Sequence, residues 1–195
     1  RRPGWRWVPL AAAVMGVMAV PCGRALADGQ PNIVFILADD LGYMDLGCYG
    51  SDLYQTPNID RLAREGLRFT QAYAACHVCS PTRGSIMTGR YPARTRLTNI
   101  PDKPNPYRKM IDAPAVHDLA PDAATLGRLL RKEGYATAWF GKWHIGGGAQ
   151  ESGFDAGRQD WALNRDPSET DPKGALRLTS EAVDFMGKNA GRPMF

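Results

Sequence analysis

Nothing acidic occurs in residues 1–27 of this chain, and no excess of base survives beyond them. The formal charge of +4 over 195 residues comes from Arg1, Arg2, Arg6 and Arg24; setting those four aside reduces the 24 basic residues to 20, which match the 20 acidic ones. No later cluster of Lys and Arg supplies a footprint for a phosphate backbone, so the composition speaks against a nucleic-acid partner. Cysteine is scarce: of the four present, three follow residue 27, namely Cys48, Cys76 and Cys79. An odd number does not suit a disulfide framework and leaves at least one thiol for chemistry. There is no internal repeat, no low-complexity tract and no second CxxC or His pair at zinc spacing.

What is present begins with an arginine-bearing start, an apolar run from Val8 to Val20 and the small-residue signal Ala25-Leu26-Ala27. That is the form of a secretory leader, residues 1–27, and it implies an exported, periplasmic or secreted protein. The competing reading is an N-terminal membrane anchor, but the run is short for a bilayer span, so no stable span is expected once the leader is removed. Cys22 is a weak lipoprotein signal because Pro21 precedes it, and Arg1-Arg2 leaves twin-arginine export open. The chain starts without methionine and stops at Arg192-Pro193-Met194-Phe195, which reads as the opening of a strand, so residues 28–195 are expected to be the N-terminal part of a longer domain.

The remainder alternates strand and helix signals. Asn32 to Ala38 is an unbroken apolar run rich in branched residues, the pattern of a strand buried on both faces. Thr56-Pro57 to Gly66 has a capping residue, a proline at the first turn and Ile59, Leu62 and Ala63 on one face, which predicts a helix. Leu67 to Tyr73 then reads as a strand. Thr98 to Pro121 carries five prolines and no periodicity, so it is a long connection. Leu126, Leu129 and Leu130 mark a helix ending at Gly134, Tyr135 to Trp143 a second buried strand, and Ser180 to Lys188 a final helix. This order predicts an α/β fold, a doubly wound and mostly parallel sheet with helices on both faces, whose ligands collect beyond the carboxyl ends of the strands.

Three clusters could carry chemistry. Asp39 and Asp40 follow the first apolar run, and adjacent carboxylates repel unless something positive joins them; oxygen ligands suit Ca²⁺ or Mg²⁺. The bland alternative is one capping and one solvated aspartate. In Cys79-Ser80-Pro81-Thr82-Arg83, Ser80 can cap a helix ending at Gly89, which sets Cys79 beside the positive end of the helix dipole with Arg83 one turn on. Cys76-His77-Val78-Cys79 also reads as a CxxC redox or zinc half-site, and a buried, inert cysteine is a third reading. Lys142 and His144 end the second strand, and alternation turns both to one face with Trp143 toward the core, a plausible oxyanion clamp. His77 and His117 read as structural, and Arg61, Arg64, Arg128 and Arg131 as solvated helix faces.

NIVFILADDLGYMDLGCYG, TPNIDRLAREGLRF, CSPTRGSIMTGR and GYATAWFGKWHIG occur in that order. Together they resemble the sulfatase family, within the alkaline phosphatase superfamily. The resemblance implies that Cys79 is oxidised to formylglycine by a formylglycine-generating enzyme that reads Cys79, Pro81 and Arg83 in the unfolded chain. It implies an aldehyde hydrate in which one hydroxyl attacks sulfur and the other expels sulfate. By position it assigns Asp39, Asp40 and modified Cys79 to a divalent cation, usually Ca²⁺, Arg83 to the formylglycine, Lys142 to sulfate oxygens and His144 to the diol. The implied activity is sulfuric ester hydrolysis of the arylsulfatase kind, on sulfated carbohydrates or aryl sulfates. Further metal ligands and the general acid normally come from later sequence, so these residues alone are expected to be inactive. Two other readings stand beside it: a phosphodiesterase or phosphonate hydrolase of the same superfamily, and an exported binding protein with an unmodified Cys79.

Overall fold

A computed structural model describes residues 29–100, 109–110, 114–159, 171 and 174–195. The chain divides into two units, 1–30 and 31–195. The expected leader, with Cys22 and Ala25-Leu26-Ala27, lies outside the described residues, and every element below belongs to the second unit.

The fold is α/β. Strand β1, Ala138–Gly141, runs parallel to β2, Ala156–Gln159, in the register Ala138 to Ala156 and Gly141 to Gln159. On its other side the chain leading into β1 pairs in parallel with residues 193–195: Phe195 N donates to Ala136 O at 2.8 Å and Ala138 N to Phe195 O at 2.8 Å. Ile33 N donates to Met194 O at 2.8 Å beyond that, so residues 32–33 lie outermost in this row of chain segments.

Alternation along β1 sends neighbouring rings to opposite faces. Phe140 meets Phe185 of helix α5, Ala175–Lys188, with centroids 6.1 Å apart. Trp139 meets Trp143 at 5.0 Å and Phe154 at 5.8 Å, both edge-on, and this face joins a core of Met87, Leu97, Trp143, Ile145, Ala149 and Phe154. That core lies against α2, Cys79–Thr88, and α4, Leu126–Lys132. Helical cover on both faces of a parallel sheet is the arrangement the element order predicts. Two glycines permit it: a Cβ on Gly84 would come 2.7 Å from Leu97 Cδ2, and one on Gly157 would come 1.9 Å from Trp139 O.

Helix α1, Pro57–Glu65, and α4 form where the capping signals predict, closed by Gly66 and followed by Gly134 at φ 88°. A one-turn helix α3 spans Pro92–Thr95. Helix α5 begins earlier than its apolar face suggests, because both carboxylate oxygens of Asp171 accept first-turn amides, Leu176 N at 3.1 Å and Arg177 N at 3.0 Å.

Residues 32–38 and 67–73 depart from expectation. Neither is assigned as a strand: 32–38 is extended with a single ladder bond, and 67–73 is irregular. Ile36 and Leu67 are 83 % and 88 % exposed. An apolar, branched run specifies a chain that wants to be a covered strand, but a strand forms only against a paired neighbour, and these segments have almost no ladder bonds among the described residues. The arginines of α4 also differ, for Arg128 donates to Ala123 O at 2.7 Å and Glu151 O at 2.6 Å, and Arg131 pairs with Asp155 at 3.0 Å. They fasten the loop 149–155 rather than standing free in solvent.

Candidate functional site

Strand β1 ends at Gly141, whose φ of 107° belongs to the left-handed half of backbone space that glycine enters without strain. The turn redirects Lys142 while Trp143 stays buried at 3 % exposure. His144 follows at φ 57°, a conformation that carries a steric cost for a residue with a Cβ. Lys142 and His144 therefore share their space through a turn, where simple strand alternation was expected. Asp40, at φ 57°, marks the same kind of bend after the apolar run 32–38. Among the described residues only Asp40, Arg96 and His144 combine positive φ with a side chain, and two of the three are candidate site residues.

Helix α2 presents Cys79 as its first residue, with Val78 as the extended N-cap. Ser80 does not cap it; its hydroxyl is buried without a hydrogen bond. The entry is closed instead by Thr82, whose Oγ1 donates to Cys76 O at 2.6 Å. Neither Thr82 nor Gly141 stood out in the sequence, although a threonine in a first helical turn and a glycine at a strand end are both known backbone devices.

Arg83, one turn along from Cys79, is buried to 5 % exposure and ties the site together. Its guanidinium donates to Lys142 O, and Nη2 lies 3.6 Å from Asp39 Oδ2. Lys142 Nζ stands 2.5 Å from the same oxygen and within side-chain hydrogen-bonding reach of Cys79. One carboxylate oxygen thus faces two cations, and the sulfur faces one of them. A fork that meets a carbonyl and a carboxylate at once is a task for guanidinium geometry and not for an ammonium.

The charges adjust accordingly. Burial works against the Asp39 carboxylate, but the Lys142 hydrogen bond and the charges of Lys142, Arg83 and His144 outweigh it and hold the carboxyl below its ordinary range. Burial also works against the Lys142 ammonium, and Asp39 with Cys79 reverses that, so its pKa rises. Burial lowers Arg83, with Asp39 and Cys79 opposing. Burial, then Lys142 and Arg83, push His144 below its usual 6.5 against the pull of Asp39, which leaves a neutral imidazole at pH 7.

Five of the six candidate residues converge: Asp39, Cys79, Arg83, Lys142 and His144. Asp40 is exposed beside them. Among the described residues no group of three or more His, Cys, Asp and Glu side chains forms a metal site. The donor chemistry of Asp39 and Asp40 fits a hard cation, which takes six or more oxygens, so two carboxylates are part of such a set. A recess of about 430 Å³ lies elsewhere among the described residues, over Arg128, Arg131 and Glu151, whose arginines are engaged as described above.

The family model described as Sulfatase matches residues 31–191. The chain is 42% identical over 145 residues to steryl-sulfatase of Mus musculus, covering 71% of this chain and 23% of that enzyme. It is 40% identical over 134 residues to arylsulfatase A of Homo sapiens, covering 69% and 24%. Among solved structures, Ps i-CgsB superposes with a TM-score of 0.66 at 31% identity, over 85% of this chain and 43% of that one. The chain spans about a quarter of the length of these curated relatives. A match over residues 31–191, a range that includes the segments building the cluster around Asp39 and Cys79, makes this chain a member of the sulfatase family.

Proposed function

We propose that residues 28–195 are the N-terminal part of the catalytic domain of an exported sulfuric ester hydrolase whose nucleophile derives from Cys79. The observation that carries the reading is the meeting of Lys142 Nζ with Asp39 Oδ2 at 2.5 Å beside Cys79, across 103 residues of sequence. Two cations, one on the helix that Cys79 opens and one after the carboxyl end of a parallel strand, form beside that sulfur a site for an anion that must be attacked.

Asp39 and Asp40 would hold a divalent cation, calcium-like in its demand for oxygen and able to neutralise charge on an ester oxygen. Converted to formylglycine by its generating enzyme and hydrated, position 79 would supply a diol that attacks sulfur and then releases sulfate. The chain's own residues prepare the ground. Lys142 offers positive charge to the ester where Cys79 begins α2, and Arg83 fixes both Lys142, through its carbonyl, and Asp39. Neutral His144 can take a proton on its ring or share one with a hydroxyl. At about 4 Å, a pair of unit charges near a protein surface interacts by roughly 4 kcal/mol, so two cations on one anionic ester can contribute much of the barrier lowering. The substrate class is a sulfated carbohydrate or aryl sulfate, in line with the enzymes named among its relatives. Export is supported by the leader pattern; among the described residues no helix is long and apolar enough to cross a membrane. With two carboxylates for a cation that takes six or more oxygens, the 195 residues alone are inactive.

The test is sulfate release by the full-length protein co-produced with a formylglycine-generating enzyme. An aryl sulfate should be cleaved in preference to a phosphate diester, Cys79→Ala should abolish cleavage, and Lys142→Ala should reduce kcat by about 10²–10³-fold. Preference for the phosphate diester, or undiminished cleavage by Cys79→Ala, would overturn the proposal.

A further inference from the structure

The proposed function leaves Cys76 unused, although it stands three residues before Cys79. Both cysteines are free and partly exposed. Cys76 is not loosely placed: its carbonyl accepts from Thr82 Oγ1 at 2.6 Å, which pins it to the first turn of the helix that Cys79 opens. Its Sγ lies 4.0 Å from His77 Nδ1. Cys79 in turn has the Lys142 ammonium beside it. The third described cysteine, Cys48, lies in a different part of the fold, where its backbone N donates to Asp60 Oδ1 at 2.7 Å and its carbonyl accepts from Arg68.

We propose that Cys76 is a covalent partner of Cys79, and that in chains whose Cys79 is still a thiol the two form a disulfide that caps position 79 reversibly. The oxidant is a low-molecular-weight disulfide such as oxidised glutathione. The Cys79 thiolate attacks one of its sulfurs and releases the other as a thiol. Cys76 then attacks Cys79 Sγ, closes the internal bond and releases the second thiol. Two protein thiols lose two electrons, one disulfide gains them, and the two protons leave on the released thiols. A capped sulfur is withheld from irreversible oxidation to sulfinic or sulfonic acid. The inference does not depend on the proposed function, because the disulfide itself requires nothing beyond two thiols.

The experiment uses the 195-residue chain made in a host without a formylglycine-generating enzyme. It is incubated with oxidised glutathione, treated with an alkylating reagent and digested, and the peptide spanning both cysteines is weighed. The expected peptide is lighter by two hydrogens with neither cysteine alkylated, and Cys76→Ser should instead carry glutathione on Cys79. A wild-type peptide with both cysteines alkylated, or with glutathione on Cys79 and an alkylated Cys76, would overturn the inference. A parallel preparation of full-length protein with the generating enzyme separates the two claims. Absence of the aldehyde there contradicts the proposed function, whereas absence of the internal bond in the first preparation contradicts this inference.

Discussion

Residues 79–159 and residues 32–73 meet opposite fates, although the second segment is the richer in apolar residues. In the first region Met87 and Leu97 are 1 % and 0 % exposed and two aromatic rings, Trp139 and Phe154, stand edge-on to Trp143. In the second, Ile36 and Leu67 stand in solvent, and order comes from polar clasps: Asp60 Oδ1 accepts from Cys48 N at 2.7 Å, Gly47 N donates to Thr56 Oγ1 at 2.9 Å, and Tyr49 OH donates to Phe69 O at 2.7 Å. The candidate site straddles the two. Its cations and its sulfur come from the packed region, and its carboxylates come from the end of the exposed apolar run. A well-packed scaffold holds Arg83 and Lys142 in place, and the carboxylate of Asp39 is drawn to them by charge.

The comparison breaks most sharply at Trp143. Replacing it by alanine should cost about 3–5 kcal/mol by urea denaturation, the range for emptying a buried aromatic site. A loss under about 1 kcal/mol would mean that the core does not depend on that ring. Gly84→Ala comes next: its Cβ would fall 2.7 Å from Leu97 Cδ2, and overpacking of this kind costs about 1–3 kcal/mol. Thermal denaturation of this variant reads how closely α2 must approach the core to present Cys79.

A smaller effect joins the two regions. Asp39→Asn should lower stability by less than about 1 kcal/mol, since the Asp39 and Lys142 side chains are 35% and 34% exposed and solvent screens them. Its pH dependence has a definite sign. The folded Asp39 pKa is depressed, so its contribution is complete above the unfolded carboxylate value of about 3.9 and is lost as pH falls through the folded value. The folded Lys142 pKa is raised, so its contribution is present below the unfolded value of about 10.4 and is lost as pH rises through the folded value. Wild type and Asp39→Asn should therefore differ by a constant amount between those limits and converge outside them, as urea midpoints across pH would record. Least of all, Ile36→Ser in the 195-residue chain should shift stability by no more than about 0.5 kcal/mol, whereas a core isoleucine would cost several times that.

What was legible in the sequence follows the same division. Helices with local signals were readable, because Pro57, Gly66, Gly89 and Gly134 act within one turn of the elements they bound. The cluster of Asp39, Cys79, Arg83, Lys142 and His144 was readable through motif spacing, although its geometry arises from left-handed turns at Asp40, Gly141 and His144 that alternation does not encode. Longer-range facts were not readable. Asp171 caps α5 from several residues upstream, Arg83 bonds the carbonyl of Lys142 across 59 residues, and Arg128 clasps Glu151. The run 32–38 carries every mark of a covered strand, yet pairing is a property of neighbours and no local pattern supplies them.

The central claim is that the sulfur of Cys79 is the precursor of the group that attacks the ester. Mass measurement of the Cys79 peptide from catalytically active full-length protein tests it most directly. The account predicts an aldehyde at that position in a fraction that rises in step with sulfate release. An intact thiol throughout a preparation that hydrolyses sulfate esters would contradict it.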